Sequence, residues 1–125
     1  PERVIAALDA FEEPIVLLAG GRDKDLPWGA FARRALERVR VLILFGEAAP
    51  LIKAEVRKAQ DRSAEGTGIL ERIVEAGSVA AAVRRADDLA GPGDVVLLSP
   101  GGTSFDAYQD FAERGEHFKE LVHQL

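Results

Sequence analysis

Two short stretches hold the residue types from which a binding site can be made: "AGGRDK" (residues 19 to 24) and "SPGGTSFD" (residues 99 to 106). In the second, Gly101 and Gly102 remove side chains and admit positive φ, so a ligand can approach the backbone. Thr103 and Ser104 add hydroxyls. Thr103 with Asp106 three residues on has the spacing of a capping box, which predicts a helix beginning there. Free N–H groups and the dipole of that helix would favour an anion. A plain strand-to-helix turn is the other reading, and Asp106 leans towards it, since its charge opposes an anion unless it points away. In the first stretch, Gly20 and Gly21 end an apolar run and Lys24 follows, where its ammonium can reach over a sheet edge. A carboxylate held by Lys24 and by donors of residues 103 to 105 would gain roughly 1.5–3 kcal/mol per charge-assisted bond. A loop lysine by itself is usually a solvated charge. Two glycine-bearing loops on one edge, one with a cation and one with donors, make the carboxylate reading the sharper one.

Other chemistries lack their residues. "AGGRDK" does not have the G-x-x-x-x-G-K-[ST] spacing of a phosphate-cradling loop, and no G-x-G-x-x-G follows any apolar run. With no cysteine there is no disulfide framework, thiolate nucleophile or thiolate metal site. His117 and His123 lie six apart on a helical stretch, on different sides of it, and read as favourable charges near a helix C-terminus rather than as metal ligands. Ser99 and Ser104 have no His and Asp poised nearby to complete a nucleophilic triad.

The elements that must position these loops show in the hydrophobic pattern. "IVLLAGG" (15 to 21), "VRVLILFG" (39 to 46) and "DVVLLS" (94 to 99) are continuous apolar runs of strand length, as expected of strands buried on both faces. Between them lie helical patterns. Val4, Ile5, Leu8 and Phe11 share one face of a first helix. Asp25 and Pro27 mark the start of a second, with Phe31, Ala32, Ala35, Leu36 and Val39 at helical spacing. Leu51, Ile52 and Val56 face inward from a third helix over about 49 to 61, and Ser78 caps a fourth over 79 to 90, stopped by "GPGD". Residues 62 to 78 read as a glycine-containing loop, a short helix over 67 to 72 and an edge strand near Arg72 to Glu75. Everything after residue 99 reads as helical, with a break near Gly115. Strands separated by helices mean βαβ crossovers and a mostly parallel sheet. In such sheets ligands sit beyond the carboxyl ends of the strands, where three loops gather: 19 to 28, 45 to 50 and 99 to 106.

Composition narrows the partners. The 125 residues suit one domain, and 47% apolar with 30% charged residues is a globular balance. A net charge of −5 argues against nucleic acid and anionic membrane surfaces as partners, because nothing would neutralise their phosphates. No apolar run is long enough to span a bilayer as a helix. There is no methionine, and "PERVIAALDAF" is already helical in pattern, so the expectation is a domain cut from a longer protein. Arg outnumbers Lys twelve to four and asparagine is absent, a composition expected of a thermophilic source or of a GC-rich genome.

"LLAGGRDKDLPW" (17 to 28) and "GPGDVVLLSPGGTSFDAYQDFAERGEHFKELV" (91 to 122) resemble the C-terminal domain of the Mur ligases, most closely the D-glutamate-adding branch. The likeness covers nearly the whole chain in order of elements and is weak over 62 to 78. It implies an α/β fold, a Rossmann-like three-layer sandwich with a mostly parallel sheet and helices on both faces, occupying residues 1 to 125 as one domain of a three-domain enzyme. It implies a cytoplasmic, monomeric, ATP-dependent amide ligase of peptidoglycan synthesis. In that family ATP and Mg²⁺ are bound mainly by a central domain, and UDP-N-acetylmuramoyl-L-alanine by an N-terminal one. This chain resembles neither, so it would have no cofactor and no ligase activity of its own. Carried over by position, Lys24, Ser104 and Phe105 would bind the carboxylates of D-glutamate, with Thr103 alongside and Phe111 shaping the pocket. Gly20, Gly21, Gly101 and Gly102 are further loop contacts. Relatives often have alanine or cysteine where this loop has glycines, which bears on loop stiffness more than on ligand chemistry. Two alternatives remain: a stand-alone, non-catalytic α/β binding module, and a related ligase of the folylpolyglutamate type that adds another amino acid.

Overall fold

The computed structural model describes residues 2–21, 28–62, 68–100 and 106–109. Along them run α1 (Glu2–Ala10), β1 (Ile15–Gly20), α2 (Trp28–Arg38), β2 (Val39–Phe45), α3 (Ala49–Arg62), β3 (Arg72–Glu75), α4 (Val79–Leu89), β4 (Val95–Pro100) and β5 (Asp106–Gln109). The five strands form one sheet in the order β3-β2-β1-β4-β5. The first four are parallel, and β5 runs antiparallel to β4.

The apolar runs are continuous because the sheet is covered on both faces. Ile15, Leu17, Leu42, Leu44, Val95 and Leu97 pack on one side with Leu8 of α1, Phe31 and Leu36 of α2, and Ile52 and Val56 of α3. Val16, Leu18, Val41, Ile43, Val96 and Leu98 pack on the other with Ala82, Val83 and Ala86 of α4. Each fully buried Leu, Ile, Val or Phe side chain contributes roughly 1.5–3 kcal/mol relative to exposure, so the two layers together hold the helices on. This is the expected α/β three-layer sandwich. The chain lays α1, α2 and α3 on one face. It then crosses by α4 on the other face from β3 at one edge to β4 beside β1, which creates the reversal of strand order between β1 and β4.

One irregularity at the amino-terminal edge of the sheet has a structural purpose. Ile15 pairs with Val39 but Val16 pairs with Val41, so the register skips Arg40. The faces shift accordingly: Val39 belongs with Leu42 and Leu44, Val41 with Ile43 and Phe45. The extra residue aims its guanidinium at the start of β4. There Arg40 Nη2 donates to Asp94 Oδ2 at 2.6 Å and to the Leu89 carbonyl at 3.0 Å, while Gly91 N donates to the same Asp94 oxygen at 2.7 Å. On the opposite helical layer Arg38 caps α1, donating from Nε to the Leu8 carbonyl at 3.1 Å and from Nη2 to the Phe11 carbonyl.

Three expectations need correction. Residues 106–109 are a strand, not the start of a helix, because they pair antiparallel with β4, Asp106 opposite Leu98 and Gln109 opposite Val95. Leu51 does not face inward but is 36% exposed, since the buried stripe of α3 runs through Ala49, Ile52 and Val56 and leaves Leu51 outside it. Residues 68–71 are not helical. There Ile69 N donates to the Leu36 carbonyl and Glu71 N to the Arg40 carbonyl, both at 2.8 Å, which draws the segment out into β3. The edge strand at Arg72–Glu75, the four helices and the Ser78 cap, whose Oγ accepts from Ala81 N at 3.1 Å, stand as the pattern indicated. The Asp25 and Pro27 start signals lie outside the described residues.

Candidate functional site

β1, β2 and β4 end level with one another. Gly20, the last residue of β1, is paired with Phe45 on one side and with Pro100 on the other. All three glycine-bearing loops therefore leave the sheet from adjacent positions. Neighbouring strands are separated by about 4.8 Å, so the stems of "AGGRDK" and "SPGGTS" stand one strand spacing apart. They flank the point between β1 and β4 where strand order reverses, the crevice in which open α/β sheets bind ligands.

The first loop is fixed at both ends. On the β1 side Gly20 has φ +153°, and a Cβ there would lie 1.9 Å from the Phe45 carbonyl oxygen, so only glycine fits between the strands. Gly21 N donates to that same oxygen at 3.2 Å, and the Gly21 carbonyl accepts from Ala48 N at 2.9 Å. At the far end Trp28 is buried, its ring edge-on to Phe31 with centroids 5.2 Å apart. The segment that contains Lys24 thus bridges two anchored points. The second loop joins β4 to an antiparallel neighbour, with Leu98 and Asp106 as the pair that closes it. Because no helix starts at Asp106, its dipole and the Thr103–Asp106 capping box drop out of the case for an anion. Loop N–H groups and hydroxyls are what remain.

Of the predicted site residues, Gly20 and Gly21 are described, and the geometry gives them a packing role against the β2–α3 turn. Lys24, Gly101, Gly102, Thr103, Ser104, Phe105 and Phe111 lie outside the described residues, as do His117 and His123. What the fold brings together is the stems of the loops that carry Lys24 and residues 101 to 105. The residue that sequence reasoning passed over is Gly46, in the third loop, with φ +75° and Gly21 against it. Its signal was the same strand-then-glycine pattern that drew attention to Gly20. A separate cavity of about 230 Å³ lies between α2 and α3, lined by residues including Arg33, Leu36, Lys58, Arg62 and Gly68, and no described residue of the three loops lines it.

Residues 1–102 match the family described as "Mur ligase, glutamate ligase domain". This chain belongs to that family. The match takes in the whole of the first loop and stops at Gly102, within the second. Similarity to individual proteins runs further along the Mur ligase domain. The UDP-N-acetylmuramoylalanine--D-glutamate ligase of Symbiobacterium thermophilum is 46% identical over 125 residues, all of this chain and 26% of that protein. The protein of the same name from Desulfitobacterium hafniense is 48% identical over 122 residues, 98% of this chain and 25% of that protein. That from Acetivibrio thermocellus is 41% identical over 125 residues, again the full chain and 26% of the relative. The domain spans about a quarter of the length of these relatives. Among the described residues no group of three His, Cys, Asp or Glu side chains could hold a metal ion. Nor is any helix among them long and apolar enough to cross a membrane.

Proposed function

We propose that this chain is the amino-acid-presenting domain of an ATP-dependent ligase that joins D-glutamate to UDP-N-acetylmuramoyl-L-alanine. The observation that carries the reading is the level ending of β1 and β4, Gly20 opposite Pro100, which sets the roots of the lysine loop and the hydroxyl loop side by side. Lys24 supplies a cation for one carboxylate of glutamate. Thr103, Ser104 and the backbone of Phe105 supply neutral donors, and Phe111 closes the apolar side. Held by its carboxylates, glutamate keeps its amine free to attack an acyl phosphate formed in another domain, with phosphate as the leaving group. ATP and Mg²⁺ serve that activation. This chain's part in that reaction is to bind and orient the nucleophile. The relatives' names specify D-glutamate, which favours it over the amino acids of folylpolyglutamate-type ligases.

Steady-state kinetics of the ligase that carries this domain test the reading. Loss of one charge-assisted hydrogen bond in Lys24→Met should raise the KM for D-glutamate roughly 10- to 150-fold and leave the KM for ATP unchanged. An unchanged D-glutamate KM would remove Lys24 from the site. The isolated 125-residue chain should show no ATP-dependent ligation, and D-glutamate should shift amide resonances of residues 20 to 25 and 101 to 111. Ligation by that chain, or unshifted amides, would count against the assignment.

A further inference from the structure

We infer that Gly46, in the turn after β2, is a positioning residue for the glutamate-binding lysine loop, although it belongs to a different loop. This rests on the D-glutamate reading of Lys24. Gly46 has φ +75°, and a Cβ built on it would lie 2.9 Å from Gly21 N and 3.0 Å from both Gly21 Cα and the Gly21 carbonyl oxygen. All three are backbone atoms, which no rotamer change can move. Ordinary contacts of a Cβ begin at 3.4 Å, so a side chain at 46 demands a shift of about 0.5 Å between the two backbones. Gly21 has little freedom to yield elsewhere, since its N–H is held by the Phe45 carbonyl and its own carbonyl by Ala48 N. The displacement therefore falls on Gly21, from which the chain runs on to Lys24 and then to the buried Trp28.

Gly46 thus lets the first and third loops lie back to back, and sets where the lysine loop leaves the sheet. Gly93 provides a matched comparison. It too has positive φ, +85°, but a Cβ there meets nothing within 4 Å, and it lies at the opposite edge of the sheet, just before β4. An alanine at either position imposes backbone strain; only the one at 46 pushes on the lysine loop.

The test is a set of kinetic measurements on the ligase that carries this domain. Misplacement of a binding group by ~1 Å can cost on the order of 10²-fold, so Gly46→Ala should raise the D-glutamate KM about tenfold. The KM for ATP should stay as it is. Gly93→Ala should leave the D-glutamate KM unchanged. Gly46→Asn, whose residue type tolerates positive φ but carries the same Cβ, should behave like Gly46→Ala. In a Lys24→Met background Gly46→Ala should add little, because both changes act on one contact. An unchanged D-glutamate KM in Gly46→Ala, an equal rise in Gly93→Ala, or full additivity with Lys24→Met would overturn the inference. If Gly46→Ala raises the KM while Lys24→Met does not, the loop is confirmed as positioned by Gly46, and the assignment of Lys24 within it fails instead.

Discussion

Replacing Asp94 should damage the scaffold and spare the site. Its carboxylate is 8% exposed and takes two hydrogen bonds on Oδ2, from Arg40 Nη2 at 2.6 Å and from Gly91 N at 2.7 Å. Breaking a buried ion pair typically costs about 3–5 kcal/mol, but the Arg40 side chain is 25% exposed and keeps the Leu89 carbonyl and Glu71, which lowers its share. Counting about 2 kcal/mol for the lost charged bond and about 1 kcal/mol for the orphaned Gly91 N–H gives about 3 kcal/mol for Asp94→Ala. Asp94→Asn keeps an acceptor for Gly91 and should cost about half as much. In urea unfolding monitored by circular dichroism, Asp94→Ala should lower the midpoint on the order of 1–2 M with the slope unchanged. Because the pair is largely shielded from solvent, added salt should change the difference little. A cost below about 1 kcal/mol, or equal costs for Asn and Ala, would refute this account of the contact. An altered D-glutamate KM in a still-folded Asp94→Asn ligase would refute the separation of scaffold edge from site edge.

The same cluster has a defined pH behaviour. Burial alone would lower the Arg40 pKa, but the hydrogen bond and charge of Asp94, aided by Glu71, outweigh it and leave it raised. A raised pKa contributes stability that is complete below the unfolded-state value and is lost only as pH climbs through the folded one. For an arginine that lies above pH about 12, so titrating wild type and an Arg40→Lys variant between about pH 6 and 10 should show no loss assignable to this group. Gly20→Ala should cost more than about 3 kcal/mol or prevent folding, since its Cβ would sit 1.9 Å from the Phe45 carbonyl oxygen; a mild variant by thermal melting would show that β1 and β2 can part there. Ser78→Ala removes the hydroxyl that accepts from Ala81 N and should cost about 1 kcal/mol in the same melt, with Ser78→Asp restoring it.

Much of the fold was legible because the apolar runs have only one use. "IVLLAG", "VRVLILF" and the run ending at Leu98 have no polar face to offer, so they must be central parallel strands, and they are. Misreadings came where a pattern was compatible with two structures. "DAYQDFAER" has helical spacing, yet its first four residues are held as a strand by pairing back on β4, the strand just before it, which the periodicity within the segment does not register. Leu51 looked like a core residue because Leu usually is; one step around α3 from Ile52 is enough to turn it to solvent. For the site, the three loops were legible from the rule that ligands gather at strand ends, and the register of Gly20 with Phe45 and Pro100 bears out that they share an edge. Gly20 and Gly21 have the composition of ligand contacts, but at Gly20 the backbone of Phe45 in β2 already takes up the room, and Gly46 packs on Gly21 in the same way; nothing in one segment's composition tells which other segment will lie against it.

The pairing of Gly20 with Pro100 also dictates when the site can exist. β1 and β2 are neighbours in sequence and can associate early through a single crossover, but β4 reaches β1 only after most of the chain has been laid down and α4 has crossed the sheet. Contacts of such sequence separation are the slow ones in folding, because loop-closure entropy must be overcome first. The carboxyl end of β1 therefore meets its β4 neighbour late in assembly, and under the function proposed above a chain stalled before β4 inserts would hold only one of the two loops that the glutamate site needs.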